Sequence, residues 1–187
     1  MKIPLSLLQL RFDDPSGFQQ ALMTFFRANK IDVTIDKQIA EMQIFCQKTV
    51  AVLTQQNFFT GTFNDTESNM VSSYTRPESE HMIILGIKVS DGNNAVLSVT
   101  DWNQGVATPN NKNGELTIEV DGRTVLRDMP LLAANDDLTT SEQGVIELSE
   151  PILWKGQTNL RCKVALPAAG AAADNIRITL IGLGLIS

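Results

Sequence analysis

Asn175-Ile-Arg-Ile-Thr-Leu-Ile-Gly-Leu-Gly-Leu-Ile186 is the stretch that decides the fold class. Ile176, Ile178 and Leu180 alternate with Arg177 and Thr179, the two-residue period of a strand with one buried face. Ile181 breaks that alternation. A second face that is also partly covered implies a central place in a sheet or a subunit seam. Arg177 is then expected to point to solvent or to a carboxylate across an interface.

Working backward, the same pattern recurs in short runs divided by Gly, Asn, Asp and Pro. Leu160, Cys162, Val164 and Leu166 alternate with Arg161 and Lys163. Ile152–Trp154 and Val145–Leu148 precede them. Thr124–Leu126 and the set Leu116, Ile118, Val120 flank Asp121-Gly122, a pair suited to a type I′ hairpin because both central residues need positive φ. Met82–Val89 reads as a buried strand, turned at Asp91–Asn94 into Ala95–Val99. Phe58–Phe63 is the first run. Long polar loops fall at Asn64–Glu80, Trp102–Asn113 and Ala133–Ser141. Eight or nine short strands at this spacing predict a mainly β chain, an antiparallel β-sandwich of jelly-roll type.

The N-terminal third reads differently. Leu5, Leu7, Leu8 and Leu10 lie in an apolar extended segment, residues 3–12, closed by Asp13-Asp14-Pro15. An apolar segment left in water would fray and aggregate, so these four leucines are expected to make assembly contacts. Pro4, Gln9 and the following Arg11 do not fit a cleaved signal peptide. Ser16 and Gln19 form a capping box for a helix striped by Phe18, Ala21, Leu22, Phe25 and Phe26 through about Ala28. Asp36 caps a second expected helix, striped by Ile39, Met42, Phe45, Cys46, Thr49, Val50 and Leu53. The expected organisation is an N-terminal segment containing two helices, residues 1–56, and a sandwich, residues 57–187, packed as one unit.

Composition narrows function. A hydrophobic share of 43% argues for a packed core rather than disorder. The formal net charge of −6 argues against broad nucleic-acid or anionic-membrane binding. One local basic strip, Arg161 and Lys163, lies on a single side of its strand. Cys46 and Cys162 are expected to be buried thiols.

The motifs carry little chemistry. His81, in Glu78-Ser79-Glu80-His81, is the single histidine, too few for the imidazole-rich metal sites built on such sandwiches. A Ser-His-Asp arrangement would have to use it, and no Gly-x-Ser-x-Gly elbow occurs. Gly182-x-Gly184 has no following helix to hold a pyrophosphate. Asp136-Asp137 with Asn135, or Asp91 with Asn93, supply loop oxygens suited to calcium, but neither fits the twelve-residue calcium loop. The expectation is a protein that is not an enzyme and has no cofactor. Trp102, Asn103 and Gln104 make the candidate ligand loop: an indole for stacking on a sugar, amides for its hydroxyls.

Two further stretches carry a resemblance. Pro77-Glu78-Ser79-Glu80-His81-Met82-Ile83-Ile84-Leu85-Gly86-Ile87 reads as a loop entering a buried strand. Pro151-Ile-Leu-Trp154, Gln157-Thr158-Asn159, the Arg161–Leu166 strand, Pro167-Ala168 and the Asn175–Leu185 strand follow it. Together, over residues 77–187, they resemble the closing strands of small jelly-roll virion proteins of bacteriophages. The resemblance implies a structural protein of the capsid or a capsid-associated structure, located in the virion. Its implied partners are further copies of itself and other virion proteins, with no specific nucleic acid and no membrane. The chain has room for one such barrel, not two. The alternative is a carbohydrate- or receptor-binding sandwich, with a glycan at the Trp102 loop.

Overall fold

The computed structural model describes residues 15–33, 38–51, 53–61, 67–70, 75–93, 102, 105–134, 145–171 and 174–186. Leu5, Leu7, Leu8 and Leu10, the Ala95–Val99 run, Asp136-Asp137, Asn103 and Gln104 lie outside them. Helix α1 spans Pro15–Ala28 and a one-turn helix α2 spans Pro109–Lys112. The strands are β1 (Gln38–Thr49), β2 (Gln55–Phe58), β3 (His81–Asn93), β4 (Glu115–Val120), β5 (Arg123–Pro130), β6 (Val145–Trp154), β7 (Leu160–Ala165) and β8 (Asp174–Ile186).

These strands form two four-stranded antiparallel sheets, ordered β1-β8-β3-β6 and β2-β7-β4-β5. β1 pairs with β8, β2 with β7, β3 with β6 and β4 with β5. The pairs are therefore nested, first strand with last. Two more ladders, β3 with β8 and β4 with β7, complete the sheets. Inward side chains from both sheets merge in one apolar core, including Ile44, Ile84, Trp154 and Ile178 from the first and Phe58, Ile118 and Val164 from the second. The mainly β sandwich expected from the alternating runs is what the chain adopts.

β8 occupies an inner position, flanked by β1 and β3, the first of the two places that its covered second face allows. Ile176, Ile178 and Leu180 are fully buried in the core between the sheets. Leu183 and Leu185 point the other way and meet α1. Phe18, Leu22, Phe25 and Phe26 lie on one face of that helix and cover them together with Ile83. The helix starts at Pro15, so Ser16 lies inside the first turn and not ahead of it as a cap. A proline is well placed there, since its missing N–H has no helical partner. At the other end Lys30 adopts φ 59°, with Ile31 N donating to Phe26 O and Lys30 N to Arg27 O. This Schellman closure brings Ile31 onto Phe26 in the same apolar cluster.

The second expected helix is corrected: its residues form β1. Its apolar residues fit two periods at once. The helical stripe leaves out Ile44, whereas two-residue alternation collects Met42, Ile44 and Cys46 on the core side. β8 decides between them, pairing with β1 from Gln38↔Ile186 to Thr49↔Asn175. A full ladder against a buried strand overrides local helical preference. β1 thus brings residues 38–49 into the first sheet, ahead of the division expected at residue 56.

Smaller corrections have equally local causes. β2 ends at Phe58 because Phe59 turns to φ 60°. Asp91–Asn93 is not a turn but the end of β3, paired with Ile176, Asn175 and Asp174. The runs at 145–148 and 152–154 are one strand, with Ile152 opposite Ile84 and Glu147 opposite Gly86 across a bulge. The Asp121-Gly122 hairpin stands as expected, at φ 51° and 73°, with Val120 opposite Arg123.

Exposed strand edges invite unwanted pairing, and each edge here is blunted. β2 has only four residues. β6 carries Pro151 beside its bulge. β5 has two register breaks, Asp128 at φ 49° and a terminal Pro130. Along β1, Ser68 and Asn69 stand in for a further strand: the Asn69 amide accepts from Phe45 N at 2.8 Å and donates to Gln43 O at 2.8 Å.

Candidate functional site

The outer face of the first sheet holds one of the expected site residues. Trp102 is half-buried, and the Arg177 guanidinium lies 4.6 Å from its ring centroid and 4.8 Å from that of Phe45. β1 supplies Phe45 and Gln47, β8 supplies Arg177, and the loop beyond β3 supplies Trp102. Arg177 Nε and Nη2 both donate to Gln47 Oε1, the Nε bond at 2.8 Å. Arg177 is half-buried, stacked between these rings and held by the Gln47 side chain. Partial burial lowers its pKa from the ordinary arginine value, and the guanidinium remains charged between the rings. Gln47 is fully buried, and its side-chain oxygen holds this cation in place.

A second constellation sits where the loop before β3 meets β1 and β6. Arg76 is 4% exposed, and its guanidinium lies 5.6 Å from the Trp154 ring centroid. Its Nη2 donates to Glu80 Oε2 at 3.0 Å and its Nη1 to Met42 Sδ at 3.0 Å. Burial lowers the Arg76 pKa, and the Glu80 charge opposes that shift. Met42, Arg76 and Glu80 line a cavity of about 760 Å³ with Ile44, Asn69 and Met70. Trp154 itself is fully buried, with Nε1 donating to Thr158 O at 2.9 Å. The sequence offers an arginine in a polar loop and a tryptophan closing an apolar run; nothing in it signals that they meet.

The other candidates are bound up in the fold. His81 opens β3 and is 8% exposed, and its Nδ1 accepts a hydrogen bond from Gly156 N at 3.0 Å. Glu80 faces Arg76 rather than sharing a metal with His81. Asp91 is fully buried, accepting from Ala107 N at 3.1 Å, Thr108 N at 2.8 Å and Asn111 Nδ2 at 3.2 Å. Its carboxylate thus fixes the segment that leads into α2. Among the described residues, no group of three or more His, Cys, Asp or Glu is gathered as a metal would require.

Cys46 and Cys162 are not joined in a disulfide; both are fully buried in the same core, one from each sheet. Burial pushes the Cys162 pKa well up, and the neighbouring Cys46 adds to the shift. The basic strip is partly neutralised, because Arg161 pairs with Glu119 across β7 and β4.

No protein-family model matches the chain. No curated protein matches it either. Among solved structures it is similar to a chain of the cyanophage Pam1 capsid asymmetric unit, 15% identical over 83% of this chain and 90% of that one. The TM-score is 0.34, a likeness too slight to bear on function.

Proposed function

We propose that this protein is a virion structural protein of a bacteriophage, built on a single jelly roll and assembling through subunit contacts into the capsid or a capsid-associated structure. The observation that carries the proposal is the nested pairing of β1 with β8, β2 with β7, β3 with β6 and β4 with β5. A long antiparallel hairpin rolled up on itself gives this order, and two Greek keys in two sheets define the jelly roll. That scaffold serves capsids, lectins and cupins, so the residues must choose among them. A cupin needs an open barrel lined by imidazoles. Here the space between the sheets is filled by side chains such as Met82, Trp154 and Leu116. In a lectin a sugar would stack on Trp102, where Arg177 already covers one face of the ring. The resemblance of residues 77–187 to phage virion proteins supports the remaining choice.

The protein works without chemistry of its own in this proposal. His81 Nδ1 is engaged by Gly156, and both thiols are buried. Blunted sheet edges favour association through side-chain surfaces and the N-terminal arm rather than by strand addition. Leu5, Leu7, Leu8 and Leu10 are the proposed contacts. Deleting residues 1–12 tests this: the oligomer should shrink while the melting temperature changes little. An oligomer of unchanged size would count against it.

A further inference from the structure

We propose that the outer face of the second sheet is a contact between two copies of this chain, related by a twofold axis that runs along the strands between β4 and β7. This contact rests on the assembly proposed above and gives it a surface. Leu116, Ile118 and Val120 of β4 and Leu160, Cys162 and Val164 of β7 pack into the core. Two-residue alternation then turns Glu115, Thr117 and Glu119 outward, beside their register partners Ala165, Lys163 and Arg161. β2 adds Gln55 and Asn57, opposite Ala165 and Lys163. On the first sheet, α1 covers part of the outer face. The second sheet is left open: Gln55, Asn57, Glu115 and Arg161 are exposed, and so is most of β5.

The charge pattern selects both the partner and the axis. Every charged residue of β4 is acidic and every one of β7 is basic. These are the two middle strands of the order β2-β7-β4-β5. An axis along the strands, midway between them, lays β4 of one copy over β7 of the other and β5 over β2. Glu119 then meets Arg161 of the partner subunit, and the reverse pair forms by symmetry. Within each chain Arg161 already pairs with Glu119, their side chains 46% and 21% exposed. Two such pairs close into a square of alternating charge. β2 carries no charge, so the arginines of β5 meet no like charge there. An axis across the strands would instead stack β4 on β4, acid on acid, which is unfavourable. Facing sheets keep their strands within about 30° of each other, as an axis along the strands requires. Four strands at ~4.8 Å spacing give a narrow face, so the contact is weak and salt loosens it.

Charge swaps in the full chain test this contact, read by light scattering at low salt, with circular dichroism to confirm folding. Arg161→Glu alone and Glu119→Arg alone each set like charges against each other across the axis. Each should lower the mass found for wild type. Mixed one to one, the two variants should regain it. Every acidic side chain of one copy then meets a basic one of the other, while the side chains at 119 and 161 within each chain still repel. Mixing therefore separates a contact between copies from the pair within one chain. Where a swap does not fold, Arg161→Gln and Glu119→Gln replace it, and each should weaken the contact several-fold. A wild type that assembles, with variants that assemble just as well, would overturn this contact and leave the assembly itself standing. Variants that stay apart on mixing would overturn it too. A wild-type monomer at every concentration would overturn the assembly on which the contact rests.

Discussion

The Arg177 guanidinium lies 4.6 Å from the centroid of the Trp102 ring, joining β8 to the loop beyond β3. Phe45 covers the guanidinium at 4.8 Å. Each such contact contributes about 0.5–2 kcal/mol when partly desolvated. Trp102→Ala should therefore lower the melting temperature by a few degrees, read by calorimetry. Arg177→Lys keeps the charge but loses the flat stacking surface and the paired donors, so it should destabilise as well. Wild-type melting in both variants would make the stack incidental.

At the β4–β5 hairpin, Gly122 stands at φ 73° with open space around its Cβ direction. The cost of a side chain there is purely one of backbone conformation. Gly122→Val should lose on the order of 1–2 kcal/mol, whereas Gly122→Asn, which tolerates positive φ, should lose much less. Urea unfolding of both variants checks this. Equal midpoints would contradict the turn.

Most of the sandwich was legible because its strands alternate cleanly and its hairpin has unambiguous turn chemistry. Ile181 pointed β8 to a sheet interior or a subunit seam, and only its pairing with both β1 and β3 puts it in the interior. β1 could not be read correctly, because Met42, Cys46 and Val50 satisfy a helical period and only the partner strand removes the ambiguity. The site was less legible still. Trp102 could be singled out as a lone indole in a polar loop, but Phe45, Gln47 and Arg177 reach it from strands far apart in sequence. Asp91 looked like a turn residue for a sound local reason. It is a buried acceptor only because the 107–111 segment folds back to donate to it.

The two thiols should be silent in the native protein. Cys46 and Cys162 are fully buried, and the raised pKa of Cys162 keeps it protonated well into alkaline solution. A thiol-reactive dye at pH 8 should label neither residue faster than the chain unfolds, and should label both at once in denaturant. Rapid labelling of Cys162 in the folded state would mean that the two sheets part readily.

Truncation after Asn175 should abolish folding. It removes Ile176, Ile178, Leu180, Leu183 and Leu185, all buried, from the strand between β1 and β3. Burying each such side chain contributes about 1.5–3 kcal/mol, and their sum approaches the whole stability of a typical domain. Circular dichroism of the truncated chain should show no cooperative melt. A soluble, cooperatively melting product would mean that the sandwich closes without β8.

Assembly is the central claim, and the mass of the purified chain in solution tests it most directly. Light scattering across a range of concentrations should give a mass several times the 20.5 kDa of one chain, in discrete rings or shells. A stable 20.5 kDa monomer at every concentration would contradict it.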